Sequence, residues 1–210
     1  MVKVKICGIT NLKDARQALE SGASFIGFNF YKRSPRYITP SAARRILRRL
    51  PKNVKSVGVF VNESEDKVLA IAHQVDLDYL QLHGEESPDT VARLKRTLPV
   101  IKAIRVRDSF STRQLLPYKH ASAFLLDGFD RHRHGGSGKT FRWDIARGAK
   151  RAGRIFLAGG LIPGNVGAAI RSAKPYAVDV CSGVEAKPGK KNHALVKDFM
   201  RAVREAQKII

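Results

Sequence analysis

Four reactive side chains stand where short β-rich runs stop: Cys7, His83, Asp127 and Asp179. An ionised thiol serves as nucleophile or base, and a carboxyl group as general acid or base. Each residue alone has a plain structural reading. A single cysteine packs as a small core residue, a strand-end aspartate caps a turn, and His83 before Gly84 is as well explained by structure as by function. Jointly, at the carboxyl ends of parallel strands, they describe an active site. Two turns add a possible anion site: Ala158-Gly159-Gly160-Leu161 and Cys181-Ser182-Gly183-Val184. Backbone N–H groups in such turns bind phosphate in barrels when they follow strands 7 and 8. Gly138-Lys139-Thr140 resembles the end of a nucleotide-binding loop, but the required earlier glycine falls at Arg133, which argues against nucleotide hydrolysis.

The elements that must position these groups alternate along the chain. Apolar, β-branched runs near 2–7, 24–30, 54–61, 78–83, 99–105, 122–127, 154–158 and 176–181 read as strands. Stretches of helical period follow each: 12–20, 41–50, 63–73, 88–98, 109–118, 142–151, 164–172 and 194 to the end. Eight βα units fit a single (β/α)8 TIM barrel over residues 1–210. The α/β alternative, an open doubly wound sheet, usually carries GxGxxG after its first strand, where this chain has Cys7-Gly8-Ile9-Thr10. Asn11, Thr39 before Pro40, and Ser87 before Pro88 are expected helix caps. The aperiodic stretch 128–140 reads as a functional loop.

Strand parity gives direction. If Cys7 faces the barrel interior, so do Lys5 and Lys3; Gln81 pairs with His83 and Asp179 with Cys181 on shared faces. A cation inside a barrel needs a partner, and closure makes strands 1 and 8 neighbours. Lys5 is therefore expected to meet Asp179.

Composition narrows the class. The 210 residues are 43% hydrophobic, enough for one well-buried domain, and no apolar run approaches the ~18 residues of a membrane span. A soluble protein with no leader before its first strand and no membrane partner is expected. Two distant cysteines form neither a disulfide framework nor a zinc motif, and a reducing cytoplasm suits them. The net charge of +21 is spread along helices, as in Arg44-Arg45 and Arg48-Arg49, without interleaved aromatics. No specific nucleic-acid partner is implied. A non-catalytic polyanion-binding barrel remains the alternative of another class.

Further motifs carry a resemblance. Lys5-Ile6-Cys7-Gly8-Ile9-Thr10, Gly27-Phe28-Asn29-Phe30, Ser34-Pro35-Arg36-Tyr37, Gln81-Leu82-His83-Gly84, Leu125-Leu126-Asp127 and Gly135-Gly136-Ser137-Gly138 resemble phosphoribosylanthranilate isomerase. So do Ala158-Gly159-Gly160-Leu161, Asn165-Val166 and Val178-Asp179-Val180 before Ser182-Gly183-Val184-Glu185, so the likeness runs the length of the chain. It implies a cofactor-free Amadori rearrangement in tryptophan biosynthesis. N-(5-phosphoribosyl)anthranilate would become 1-(2-carboxyphenylamino)-1-deoxyribulose 5-phosphate. It also implies roles: Cys7 as general base, Asp127 as general acid and Arg36 as clamp for the anthranilate carboxylate. Gln81, His83 and Asp179 would contact the phosphosugar, and Gly159, Gly160, Ser182 and Gly183 would hold its phosphate. The related isomerase of histidine synthesis uses paired carboxylates, and Cys7 in the first place argues against it.

Three positions depart from the family pattern. Asn192 stands in place of Asp but caps a helix equally well. Arg142 stands where Asp or Asn is usual, which puts the anchoring of the nearby loop in question. Cys181 replaces Ser at the rim of strand 8; the strand spacing would let it reach Cys7 and form a disulfide, against the favoured reading that register or side-chain direction keeps the two sulfurs apart. Oligomeric state, monomer or homodimer, is not legible.

Overall fold

The computed structural model describes residues 1–107, 109–128 and 143–208. Eight parallel strands close into a barrel in sequence order: β1 (Lys3–Ile6), β2 (Phe25–Asn29), β3 (Lys55–Phe60), β4 (Tyr79–Leu82), β5 (Val100–Val106), β6 (Ala123–Gly128), β7 (Ile155–Leu157) and β8 (Ala177–Val180). The last pairs in parallel with the first, Lys5 opposite Asp179 and Ile6 opposite Val180. Period-two alternation sorts the side chains into two cores. Val57, Ile101, Leu125 and Phe156 fill the barrel, and Val4, Ile6, Leu80, Leu126 and Val178 face the helices.

Seven α-helices lie among the described residues: α1 (Leu12–Glu20), α2 (Pro40–Leu47), α3 (Glu65–Val75), α4 (Pro88–Leu94), α5 (Asp144–Ala149), α6 (Val166–Ala173) and α7 (His193–Gln207). None of the described helices is long and apolar enough to cross a membrane. The caps form as expected. Asn11 accepts from Asp14 N, Thr39 from Ala42 N, Ser87 from Thr90 N, and Asn192 from both Ala194 N and Leu195 N.

Three expectations need correction. The segment after β5 is a 3-10 helix, Thr112–Tyr118, rather than an α-helix over 109–118. Pro117 lies inside it, and Leu115 is its one buried residue, so neither hydrogen bonding nor an apolar stripe supports α geometry. Helices α2 and α4 stop at Leu47 and Leu94, short of the expected 50 and 98, and Arg49 N, Leu50 N, Arg96 N and Thr97 N bond three residues back in tightened turns. Between β8 and α7 stands an unexpected hairpin, β9 (Glu185–Lys187) with β10 (Lys190–Lys191). The expected functional loop at 128–140, past Gly128, and Arg142 lie outside the described residues.

At the amino end of the barrel, Phe25 packs edge-on against Tyr79 and Phe156, and Phe156 meets Tyr176. Lys3 lies over the Phe25 and Tyr176 rings and Arg154 over Tyr176, so cations cover a plug of aromatic rings.

The carboxyl rim of β3 and β4 is fastened by a buried pair. Lys102, facing outward from β5, donates to Glu86 Oε2 at 2.7 Å and to Gly84 O at 2.7 Å. Glu86 in turn accepts from Asn62 N and Gly84 N. Burial lowers the Lys102 ammonium, with Glu86 opposing that shift. Removing one partner strands the other in a dry site. Lys102→Met should cost about 3–5 kcal/mol of stability, read by urea unfolding. A loss below about 1 kcal/mol would mean that the pair behaves like a solvated surface bridge.

Candidate active site

Each site residue named from the sequence lines one cavity of about 610 Å³ at the carboxyl rim. Cys7, Asp127, Arg36, Gln81, His83, Asp179, Gly159, Gly160, Ser182 and Gly183 converge there from strands 1, 4, 6 and 8 and the turns after strands 2, 7 and 8. Leu161, Pro188 and Val59 supply apolar wall.

Charge is concentrated around Cys7. Lys5, fully buried, donates to Asp179 Oδ1 at 2.9 Å, the partner that strand closure required. Burial works against the Lys5 charge, but Asp179 and Cys7 outweigh it and the ammonium is held above its ordinary range. Burial also pushes the Asp179 carboxyl up to about 6, with Lys5 pulling it back and Cys7 adding repulsion. The Cys7 thiol is drawn well below its ordinary range, first by a hydrogen bond from Cys181 and against burial, with Lys5 and Lys191 assisting. Both cysteines are free thiols, with no disulfide between them.

Across the cavity, Gln81 Nε2 lies 2.9 Å from His83 Nδ1. Donation from that amide leaves the proton of a neutral imidazole on Nε2. This atom sits 3.3 Å from Asp127 Oδ2, though without hydrogen-bond alignment. Asp127 itself is 5% exposed.

The Arg36 guanidinium is held by a residue that sequence reasoning passed over. Its Nε and Nη2 both donate to Glu185, 149 residues away, at 3.0 and 2.7 Å. Lys191 Nζ shares that carboxylate at 3.0 Å. Burial favours the neutral acid, but the Arg36 bonds and the Lys191 charge keep Glu185 below its usual range. Glu185 stood within a quoted motif, but nothing local marks it as the partner of Arg36.

The glycine turns are shaped by close approach. Gly159 has φ +83°, and a Cβ there would meet the backbone of Gly128. A Cβ on Gly183 would strike the Leu161 carbonyl oxygen. Asn165, quoted in the resemblance without a role, accepts from Ile162 N at 2.8 Å and donates to Gly160 O at 2.9 Å, which fixes the turn. Behind the site, Asp14 joins three elements, accepting from Asn11, Lys191 N and the His193 ring at 2.8 Å each. Burial alone would raise its pKa, but these bonds carry it below the usual carboxylate range.

The family model for N-(5'phosphoribosyl)anthranilate (PRA) isomerase matches residues 4–202. The N-(5'-phosphoribosyl)anthranilate isomerase of Citrifermentans bemidjiense is 52% identical over 209 residues, covering 100% of this chain and 98% of its own. The crystal structure of the Thermotoga maritima phosphoribosyl anthranilate isomerase superposes with a TM-score of 0.92 at 45% identity, covering 98% of this chain and all of that one. A further structure of a phosphoribosyl anthranilate isomerase, in complex with reduced 1-(o-carboxyphenylamino)-1-deoxyribulose 5-phosphate, gives a TM-score of 0.88 at 44% identity, with coverage of 98% and 100%. Sequence and fold agree along almost the whole length, and the chain belongs to the N-(5'-phosphoribosyl)anthranilate isomerase family.

Proposed function

We propose that this chain, acting as one catalytic unit over residues 1–210, isomerises N-(5'-phosphoribosyl)anthranilate to 1-(2-carboxyphenylamino)-1-deoxyribulose 5-phosphate in tryptophan biosynthesis. It is an aldose–ketose isomerase that works by acid and base alone. The supporting observation is one cavity that presents a Cys7 sulfur biased toward thiolate, the Asp127 carboxyl, a fixed guanidinium and two glycine turns.

The reaction needs two proton transfers at different faces of the sugar. Asp127 gives a proton to the furanose ring oxygen while the C1′–O bond breaks and the anthranilate nitrogen forms an imine. Cys7 thiolate takes the C2′ proton. The resulting enolamine tautomerises to the aminoketone. Gly159, Gly160, Ser182 and Gly183 hold the phosphate through backbone N–H groups. Gln81, His83 and Asp179 line the path of the sugar. Glu185 occupies the Nε–Nη2 side of Arg36, fixing the plane of the guanidinium. The anthranilate carboxylate then meets a donor group whose orientation is already set. A substrate bearing both a phosphate and a carboxylate is also drawn by the +21 charge of the protein. Two free cysteines, one of them the base, suit the cytoplasm.

The direct test follows the fluorescence of phosphoribosylanthranilate with purified protein. Enzyme-dependent loss is expected, and a rate no greater than the blank overturns the reading. Arg36→Ala should raise KM by about 10- to 100-fold, the range of a charged hydrogen bond, with a smaller change in kcat. An unchanged KM would remove the clamp from the scheme.

A further inference from the structure

Resting on the assignment of Arg36 as the carboxylate clamp, we propose that Lys191 is a positioning residue for that clamp. From behind the cavity wall it offsets the charge of Glu185, so that Arg36 keeps a net positive charge to offer the substrate.

The need arises from the Arg36–Glu185 pair. A guanidinium whose Nε and Nη2 both bond to one carboxylate, at 3.0 and 2.7 Å, already carries its countercharge. The two side chains are 14% and 4% exposed, so salt and water screen the pair little. To an approaching carboxylate the pair alone is neutral: its hydrogen bonds would orient the ligand without attracting it. A carboxylate that leaves water beside a neutral pair loses hydration and gains no counterion. The nearest other charges do not help. Lys5 is matched by Asp179 at 2.9 Å, and a thiolate at Cys7 counts against an incoming anion.

Lys191 supplies the missing charge. Its Nζ donates to Glu185 Oε1 at 3.0 Å and to Cys181 O at 3.1 Å, and its side chain is 1% exposed. Two cations therefore share one carboxylate, and the group keeps one positive charge in excess. The hairpin β9–β10 puts the ammonium there. Gly189 turns the chain with φ +78°, and its N–H donates to Glu185 Oε1 at 3.2 Å. Lys191 N is tied to Asp14 Oδ2 at 2.8 Å, which pins the second strand of the hairpin to α1. Arg36 lines the cavity, whereas Lys191 and Glu185 stand outside its lining. The ammonium thus acts on the ligand through Glu185 and Arg36 without touching it.

The experiment titrates two ligands by calorimetry: reduced 1-(o-carboxyphenylamino)-1-deoxyribulose 5-phosphate, and the same molecule without its carboxylate. The proteins are the wild type, R36A, K191M, K191Q and K191M/E185Q, with urea unfolding as control. In K191M the Kd of the carboxylate-bearing ligand should rise about tenfold, the order expected of a unit charge acting over about 10 Å at an effective dielectric constant of about 20. The carboxylate-free ligand should bind K191M and the wild type alike. K191Q keeps a donor without the charge, should behave as K191M does, and carries the test if K191M is unstable. K191M/E185Q removes one charge of each sign and should recover most of the wild-type affinity, a rescue that a purely structural role does not predict. Unchanged binding of the carboxylate-bearing ligand, an equal loss for both ligands, or no rescue in the double variant overturns the proposal. If R36A itself loses no preference for the carboxylate, the parent assignment of Arg36 as clamp falls, and this role with it.

Discussion

Cys7→Ser should lower kcat/KM by about 10²- to 10⁴-fold, the usual worth of a positioned base, with the protein still folded. A hydroxyl stays protonated at neutral pH, so Lys5, Lys191 and Cys181 no longer have an anion to stabilise. The pH dependence separates this loss from misplacement. In the wild type, activity should fall as pH drops through the Cys7 titration, which its surroundings draw below the ordinary thiol range. The serine variant lacks that titration, and raising the pH restores nothing. Steady-state kinetics from pH 5 to 9, with an unfolding curve as control, make the measurement. A variant retaining a tenth of wild-type activity would show that another group removes the proton.

Asp127→Asn gives a loss of similar size, about 10²- to 10⁴-fold, carried by kcat. The amide matches the carboxyl in size and still bonds to a sugar oxygen, so KM changes little. It has no acidic proton for the ring oxygen. His83 Nε2 lies 3.3 Å from Asp127 Oδ2 but out of hydrogen-bond alignment, so it is a neighbour of the acid and not its bonded partner. His83→Asn should therefore impair turnover less than Asp127→Asn. The reverse order would transfer the acid role to the imidazole.

What the sequence made legible was local or periodic. A two-residue period told which side chains share a face, and closure of the barrel then required the Lys5–Asp179 pair, now seen at 2.9 Å. Caps at Asn11, Thr39, Ser87 and Asn192 depend on residues within three positions and formed as read. What escaped notice depends on distant partners. Glu185 reaches Arg36 across 149 residues, and no spacing rule joins them. Lys102 on a strand gave no sign of burial, because its partner Glu86 lies in another loop. The hairpin β9–β10 has strands of three and two residues, too short for periodicity to show. Its Lys191 is nonetheless what reaches Cys181.

The plug of Phe25, Tyr79, Phe156 and Tyr176 beneath its lid of cations has a kinetic corollary. Among the described residues the chamber is shut at its floor and opens at the carboxyl rim, so product leaves by the side from which the next molecule arrives. Reactant and product then exclude one another at every turnover. Added ketose phosphate should accordingly inhibit in a purely competitive pattern, and its departure can set the pace once the chemistry is fast.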